Sequence, residues 1–249
     1  MNDALEGRSV VVLGASGAVG GEIVVRARAR GAVVLAVARS AGPLHTMAEQ
    51  ARGTRVLAID ATLERAPAAV FDMLTPDVLV IAAGARPPAG AMYELDWDEF
   101  CINWQSDVKM TFLFLRAALL RPLPPGTCVI VIASGAALAG SPHSGGYAPS
   151  KRVQMFLANY AQKESNRLGR GLRITTLAPR MMPGTPLGRH AAEGYARYLG
   201  ITPSDFVSSL EAAPEPAHVA TAALAVAADP EAFKGRALVV DATGMKPIP

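Results

Sequence analysis

The sequence predicts one α/β domain built on a doubly wound, seven-stranded parallel sheet. Short apolar runs alternate with longer helical stretches, most of those runs are continuously apolar, and no linker or repeat divides the chain. Strands covered on both faces by helices read as unbroken apolar runs, because neither face meets water. Strand–helix alternation with right-handed crossovers then gives a parallel sheet with helices on both sides.

In chain order the strands fall at 9–14 (SVVVLG), 32–38 (AVVLAVA), 54–60 (TRVLAID), 77–84 (DVLVIAAG), 127–134 (TCVIVIAS), 172–178 (LRITTLA) and 237–242 (ALVVDA). Gly31 closes the first helix and Gly169 the long one that runs from Tyr147 to Leu168, each as a C-cap. In the long helix Val153, Phe156, Leu157, Tyr160 and Ala161 recur at helical spacing and predict one apolar face. Pro, Gly and Met crowd between Pro179 and Gly188, and Pro returns at Pro214 and Pro216. That pattern predicts a small helical insertion over about 180–216 that shapes a substrate side within a single domain spanning 1–249.

Composition narrows the function classes. Of 249 residues 51% are hydrophobic, enough for a sizeable core and against disorder. The net charge is only +3 and the arginines are scattered, which speaks against a nucleic-acid partner. No apolar run approaches the ~18 residues that a membrane span needs. The opening MNDALEGRSVVVLG lacks the basic stretch of a secretory signal, and two cysteines make no disulfide framework. A reducing cytoplasm is the expected setting, with Cys128 as a buried thiol. No His/Cys group has metal-ligand spacing, so no metal is expected.

After the first strand comes Gly14-Ala15-Ser16-Gly17-Ala18-Val19-Gly20-Gly21, running into a helix. Glycines there allow a tight turn and let backbone N–H groups approach a pyrophosphate at the helix N-terminus. The second strand ends at Ala38-Arg39 with no carboxylate, where one would hydrogen-bond the ribose of NAD and repel a 2′-phosphate. The Arg39 guanidinium favours NADP(H) over NAD(H). Asp60, closing the third strand, either accepts from an adenine amine or caps the next helix.

Tyr147-Ala148-Pro149-Ser150-Lys151 opens the long helix. Residues four apart share a helix face, so the hydroxyl and the ammonium can enter one cavity. A free tyrosine titrates near ~10, and a nearby cation favours its phenolate, which suits proton exchange with a carbonyl oxygen. Ser134 sits at the tip of the fifth strand, 13 residues upstream of Tyr147, where its hydroxyl can hold the same oxygen.

With these residues in place the chain resembles the short-chain dehydrogenase/reductase family, in its compact branch of roughly this length. The likeness runs through GASGAVG, the AAG at 82–84, Ser134, YAPSK, the LAP at 177–179 and VDATG near the end. The resemblance implies a Rossmann-type fold and a cofactor cradle of Gly14, Ser16, Gly17, Val19, Gly20, Ala83, Gly84 and Pro179. It also implies that Lys151 binds the nicotinamide ribose, that Thr185 contacts the carboxamide or pyrophosphate, and that the protein is a homodimer or homotetramer burying its two long helices.

Several positions depart from the family pattern. Leu13 replaces a Thr and Ala18 a Gly, leaving the Gly14, Gly17, Gly20 spacing of the longer, epimerase-containing branch. Ile81-Ala82 replaces a tandem Asn that braces the strands, and Pro179-Arg180 replaces Pro-Gly. The fourth catalytic member, normally Asn, aligns with Asp107, and Asn103 one turn earlier is a substitute. An aspartate there alters the charge balance behind Lys151.

The expected activity is NADPH-dependent reduction of a carbonyl, or the reverse alcohol oxidation. A non-catalytic NADP-binding sensor and an isomerase or dehydratase of the same fold stay open as alternatives. His143 and His190 are read as loop imidazoles without a chemical role. Met181 and Met182 suit either an apolar pocket or core filling, and Trp97 and Trp104 suit packing or a subunit contact.

Overall fold

Apolar, mostly β-branched runs form seven of the eight strands found in one sheet among the described residues, and the polar GMKP segment adds the eighth. In a computed structural model, which describes residues 4–248, the first half runs β1 (Ser9–Leu13), α1 (Ala18–Ala29), β2 (Val33–Ala38), α2 (Ala41–Gln50), β3 (Arg55–Ala58), α3 (Ala66–Met73) and β4 (Val78–Ile81). Then come α4 (Trp97–Asn103), one π-helical turn (Trp104–Val108), α5 (Lys109–Leu120), β5 (Cys128–Ile132), α6 (Ala136–Ala139), α7 (Tyr147–Arg167) and β6 (Arg173–Pro179). The chain closes with α8 (Pro186–Leu199), α9 (Pro203–Ser208), α10 (Pro216–Ala228), α11 (Pro230–Phe233), β7 (Ala237–Asp241) and β8 (Gly244–Pro247).

The strand order is β3-β2-β1-β4-β5-β6-β7-β8. Strand order reverses at β1, which pairs with β2 on one side and β4 on the other. A crevice opens at the carboxyl ends of strands at such a point, and ligands of open α/β sheets bind there. Leu13 is level with both Val37 and Ile81, so the three strands deliver their loops at one height.

Successive side chains of a strand point to opposite faces. Accordingly Val10 and Val12 join a core with Ile23, Val24, Leu44, Val219 and Leu224, while Val11 and Leu13 join one with Val70, Phe71, Phe114 and Ala158. Phe71 and Phe114 meet edge to face at 5.9 Å, and burying each contributes about 1.5–3 kcal/mol. Cys128 lies in the first core, where burial pushes its thiol up to about 12.

One expectation is corrected. The sheet has eight strands, not seven parallel ones, because VDATG turns back into an antiparallel partner for β7. Asp241 Oδ1 accepts from Thr243 N (2.8 Å) and Thr243 Oγ1 (2.6 Å), which fixes that hairpin, and Pro247 is tolerated because β8 is an edge. The apolar face of the long helix is divided: Ala161 is buried and Leu157 packs against the second core, whereas Phe156 is 46% and Tyr160 57% exposed. The inward face also carries Lys151, Gln154, Met155, Ala158 and Gln162. Trp97 and Trp104 are exposed as well.

The C-caps at Gly31 and Gly169 are present, with φ of 77° and 64°. The 180–216 segment holds α8 and α9. Thr185 and Thr202 start them by accepting from Gly188 N (3.0 Å) and Asp205 N (3.1 Å), each followed by proline at the first helical position. Met182 packs on the first core and Met181 under α8 and α9.

Candidate functional site

Two structures meet above the sheet: a crevice made of backbone and a buried cluster of charge. The crevice is the turn after β1. Gly14 N and Ala15 N both donate to Val37 O (2.8 and 3.1 Å), bending the chain tightly over β2. Gly14 has φ of +84°, and a Cβ there would lie 2.6 Å from Ala83 backbone atoms. A Cβ on Gly20 would lie 2.2 Å from Gly14 O, so α1 rests directly on the turn. At Gly17 the same contact is a looser 3.3 Å.

Gly17 is the N-cap of α1 and no side chain caps it, which leaves the first N–H groups of the helix for a ligand. Ser16, Gly17 and Ala18 are exposed around a cleft of about 300 Å³ that extends to Thr46 and Gln50. A dinucleotide's pyrophosphate fits this donor set, because it needs close backbone approach and a positive helix end.

Arg39 is exposed one residue past β2. Asp60 follows β3 and accepts, on Oδ1, from Thr62 N (2.9 Å) and Thr62 Oγ1 (2.8 Å). Those bonds hold its carboxyl below the usual range, and the Arg39 charge adds to the effect against a small opposing cost of burial. Asp60 therefore organises its own loop; it does not cap α3, whose N-cap is Arg65.

The charged cluster lies where β5 meets α7. Lys151 is 5% exposed, with its ammonium 3.0 Å from Asp107 Oδ2, 3.5 Å from Ile132 O and 5.5 Å from the centroid of the Tyr147 ring. Burial alone would lower the Lys151 value, yet Asp107 and Tyr147 outweigh it and the ammonium is held above its ordinary range. Ser134 stands two residues beyond Ile132, and its Oγ accepts from Ala136 N (3.2 Å) at the start of α6.

Between the two candidates for the fourth position, Asp107 takes the pair with Lys151. Its Oδ1 accepts from Ser106 Oγ (2.6 Å) and Ala85 N (2.8 Å), and more distantly from Asn103 Nδ2 (3.5 Å). Asn103 itself donates to Ala85 O (2.9 Å). The π-helical turn brings Asp107 to α7, and Gln154 braces it by donating to Asp107 O (3.3 Å) and Thr111 Oγ1 (2.6 Å). A Cβ on Gly84 would strike Asp107 Oδ2 at 2.7 Å, which links the charged cluster to the crevice wall.

Lys151 and Asp107 thus form one buried ion pair, with the half-buried ring of Tyr147 beside it. Ser106 and Gln154 escape a reading of sequence motifs, although Gln154 shares a helix face with Lys151 and carried that hint.

Pro179 ends β6, and its carbonyl accepts from Gly135 N (2.7 Å), tying the Ser134 loop to the next strand. Thr185 Oγ1 donates to Met182 O (2.9 Å) while capping α8, so its hydroxyl serves the helix start. Neither histidine is a free loop imidazole. His190 bridges Arg86 Nη2 (2.7 Å) and Pro87 O (3.1 Å). His143 is 7% exposed with both ring nitrogens unpartnered, at a cost of about 1–3 kcal/mol for each unsatisfied group.

These features coincide with the match of a family described as short chain dehydrogenase, over residues 8–196. The chain belongs to the short-chain dehydrogenase family. It is accordingly an oxidoreductase of the CH–OH/C=O class. The family match ends within α8, so α9 and the rest of the insertion lie beyond it.

No curated protein sequence matches the chain. Among solved structures, the L-sorbose reductase of Gluconobacter frateurii, complexed with NADPH and L-sorbose, superposes with a TM-score of 0.79 at 21% identity. That alignment covers 98% of each chain, and at such identity the likeness concerns the fold. Among the described residues no helix is long and apolar enough to cross a membrane, and no group of His, Cys, Asp and Glu could hold a metal ion.

Proposed function

We propose that this short-chain dehydrogenase is an NADPH-dependent reductase of a ketone or aldehyde, or the corresponding alcohol dehydrogenase in the opposite direction. One observation carries the reading: a buried Lys151 ammonium joins the Tyr147 ring to the strand end bearing Ser134. Burying a cation is expensive, and this one lies beside the single tyrosine whose acidity it would tune.

Gly14, Ser16, Gly17, Val19 and Gly20 would hold the pyrophosphate, with Ala83, Gly84 and Pro179 walling the crevice. Arg39 would pair with a 2′-phosphate, Asp60 would receive the adenine amine, Lys151 the ribose hydroxyls and Thr185 the carboxamide. The bound nicotinamide supplies or receives the hydride. Ser134 Oγ donates a hydrogen bond to the carbonyl oxygen and steadies the negative charge that builds there. Tyr147 gives its hydroxyl proton to that oxygen in reduction and takes it back in oxidation. Lys151 favours the tyrosinate left behind, and Asp107 keeps Lys151 charged and in place. The structural neighbour is complexed with NADPH and a sugar, which supports this choice of cofactor and a carbonyl substrate.

The exposed Phe112, Phe156 and Tyr160 on α5 and α7 support a homodimer or homotetramer formed over these helices. A small-molecule substrate, no nucleic acid and a cytoplasmic setting complete the reading.

The test is NADPH oxidation across a panel of carbonyl compounds with wild type and Tyr147→Phe. Loss of about 10³-fold in kcat with unchanged NADPH affinity is expected. Equal activity of the two proteins refutes the assignment, and tight NADPH binding without turnover of any carbonyl favours a sensor.

A further inference from the structure

Helix α8 follows the carboxyl end of β6, and it comes to rest on the 83–90 segment, which follows the carboxyl end of β4. In the sheet β5 lies between those two strands, and Ser134 stands just past its end. Contact between the helix and the segment therefore spans the end of β5. The segment is itself part of the site: Ala83 abuts Gly14, and Ala85 N donates to Asp107 Oδ1 (2.8 Å).

Two bonds to one imidazole make the contact. Arg86 Nη2 lies 2.7 Å from His190 Nδ1, and Pro87 O lies 3.1 Å from Nε2. A guanidinium only donates and a carbonyl only accepts, so Nδ1 carries the lone pair and Nε2 the hydrogen. This pair of bonds exists only while the ring is neutral. A proton on Nδ1 removes the acceptor and sets an imidazolium against a guanidinium. The charged and titratable groups around the seam are Arg86, Glu94, His143 and, on α8, Arg189, Glu193 and Arg197. Among the described residues Arg86 alone of these bonds the ring; Glu94 accepts from Ala91 N and Arg189 donates to Gly184 O.

Two further observations distinguish α8 from a fixed wall. With α9 it shares a small core of Ala192, Ala196 and Phe206, separate from the two large cores beside the sheet. Its closed position also carries a penalty. Gly194 sits on the His143 ring, where a Cβ would lie 2.7 Å from Nε2, and both His143 nitrogens are sealed without a partner. Lifting α8 returns those atoms to water, which favours opening unless something fastens the helix.

We propose that α8 and α9 form a lid over the Ser134 end of the site, latched by the Arg86–His190–Pro87 bonds and released when His190 takes up a proton. That the lid gates a reductase rests on the reading above; the latch itself does not. Lids of this kind control entry and release of ligands.

Backbone hydrogen exchange over 186–199 reads the latch without turnover, at about pH 8 and about pH 5.5, the span over which imidazoles commonly change charge. His190→Gln keeps a donor for Pro87 O and an acceptor for Arg86 and does not titrate, so comparison with it at each pH cancels the effect of pH on exchange itself. Wild type should match His190→Gln at the higher pH and exchange about 10-fold faster than it at the lower, the worth of one net hydrogen bond. Arg86 is exposed, so Arg86→Met spares the core, and this variant should exchange about 10-fold faster than His190→Gln at both. Wild type equal to His190→Gln at both values, or Arg86→Met as protected as wild type at the higher one, overturns the latch.

NADPH release, followed by stopped-flow fluorescence, should quicken by about 5- to 10-fold in the same proteins and conditions that loosen α8. Release that ignores the latch overturns the lid. Failure to bind NADPH refutes the reductase reading, and the exchange result still judges the latch.

Discussion

The two halves of the site are built from different materials. Where β1 and β4 end, the crevice is backbone: Gly14 against Ala83 and Gly20 against Gly14 O leave no room for side chains. Where β5 meets α7, the site is side chain: Lys151, Asp107, Asn103 and Gln154 are all buried and joined to one another. A ligand gripped by N–H groups needs close approach, which only absent side chains allow. A proton-transfer site needs charge shielded from water, which a buried, paired ion provides. The first half fails by steric blockage, the second by loss of charge compensation.

Removing the carboxylate of the buried pair has the largest expected effect. Asp107→Ala leaves Lys151 uncompensated and should cost about 3–5 kcal/mol of stability, read from urea unfolding. The sign of its pH dependence follows from Lys151, whose folded-state value is raised. The pair's contribution is full below the unfolded lysine value and vanishes as pH rises through the folded one. The destabilisation of Asp107→Ala relative to wild type therefore shrinks at strongly alkaline pH.

On the backbone side Gly20→Val forces a Cβ against Gly14 O and should cost about 3 kcal/mol. Its distinguishing mark is weakened NADPH binding in whatever folded protein remains, read by cofactor fluorescence. On the proposed NADPH reading, replacing Arg39 by Asp puts a carboxylate where the 2′-phosphate would lie. NADPH affinity should fall by about 30-fold, or ~2 kcal/mol, with NADH spared.

The shape-conserving Asp107→Asn sharpens the contrast further, since it keeps the bulk and removes the charge. Lys151 loses the neighbour that raises it, so the pH–rate profile should move to lower pH while NADPH binding changes little.

The smallest effect belongs to the far edge of the sheet. The Thr243 bonds, helped by Lys246, bring Asp241 down to about 2 in the folded state. The stability it supplies is present above its unfolded value and lost as pH falls from about 4 toward 2. Asp241→Asn should remove that contribution at neutral pH, so that the variant is slightly less stable there and the two proteins converge as pH falls toward 2.

Local chemistry was legible wherever neighbours in sequence set it. Glycines at the first strand–helix turn, a tyrosine and lysine four apart, and a serine beyond a strand tip are each placed in the fold by their position in the sequence. The helix caps at Gly31 and Gly169 were legible for the same reason. Periodicity in α7 marks an apolar face but not what covers it, and only part of that face, Ala161 and Leu157, meets the core. Phe156 and Tyr160 face outward, and the polar face of the same helix went inward to meet Asp107. β8 escaped notice because GMKP has no strand pattern of its own and becomes a strand only through pairing with β7.

The sequence by itself determined the α/β order and the glycine turn, and it set Tyr147 and Lys151 on one helix face and Ser134 beyond a strand end, since short-range geometry and burial pattern suffice for these. Only the tertiary structure decided that Asp107, and not Asn103, pairs with Lys151, that an eighth strand closes the sheet, and that His143 is buried without a partner. Each depends on segments distant in sequence: a π-helical turn meeting α7, a hairpin completing an edge, and α8 crossing the loop before Tyr147. Spacing along the chain carries no record of such meetings, because they are settled by the packing of whole elements.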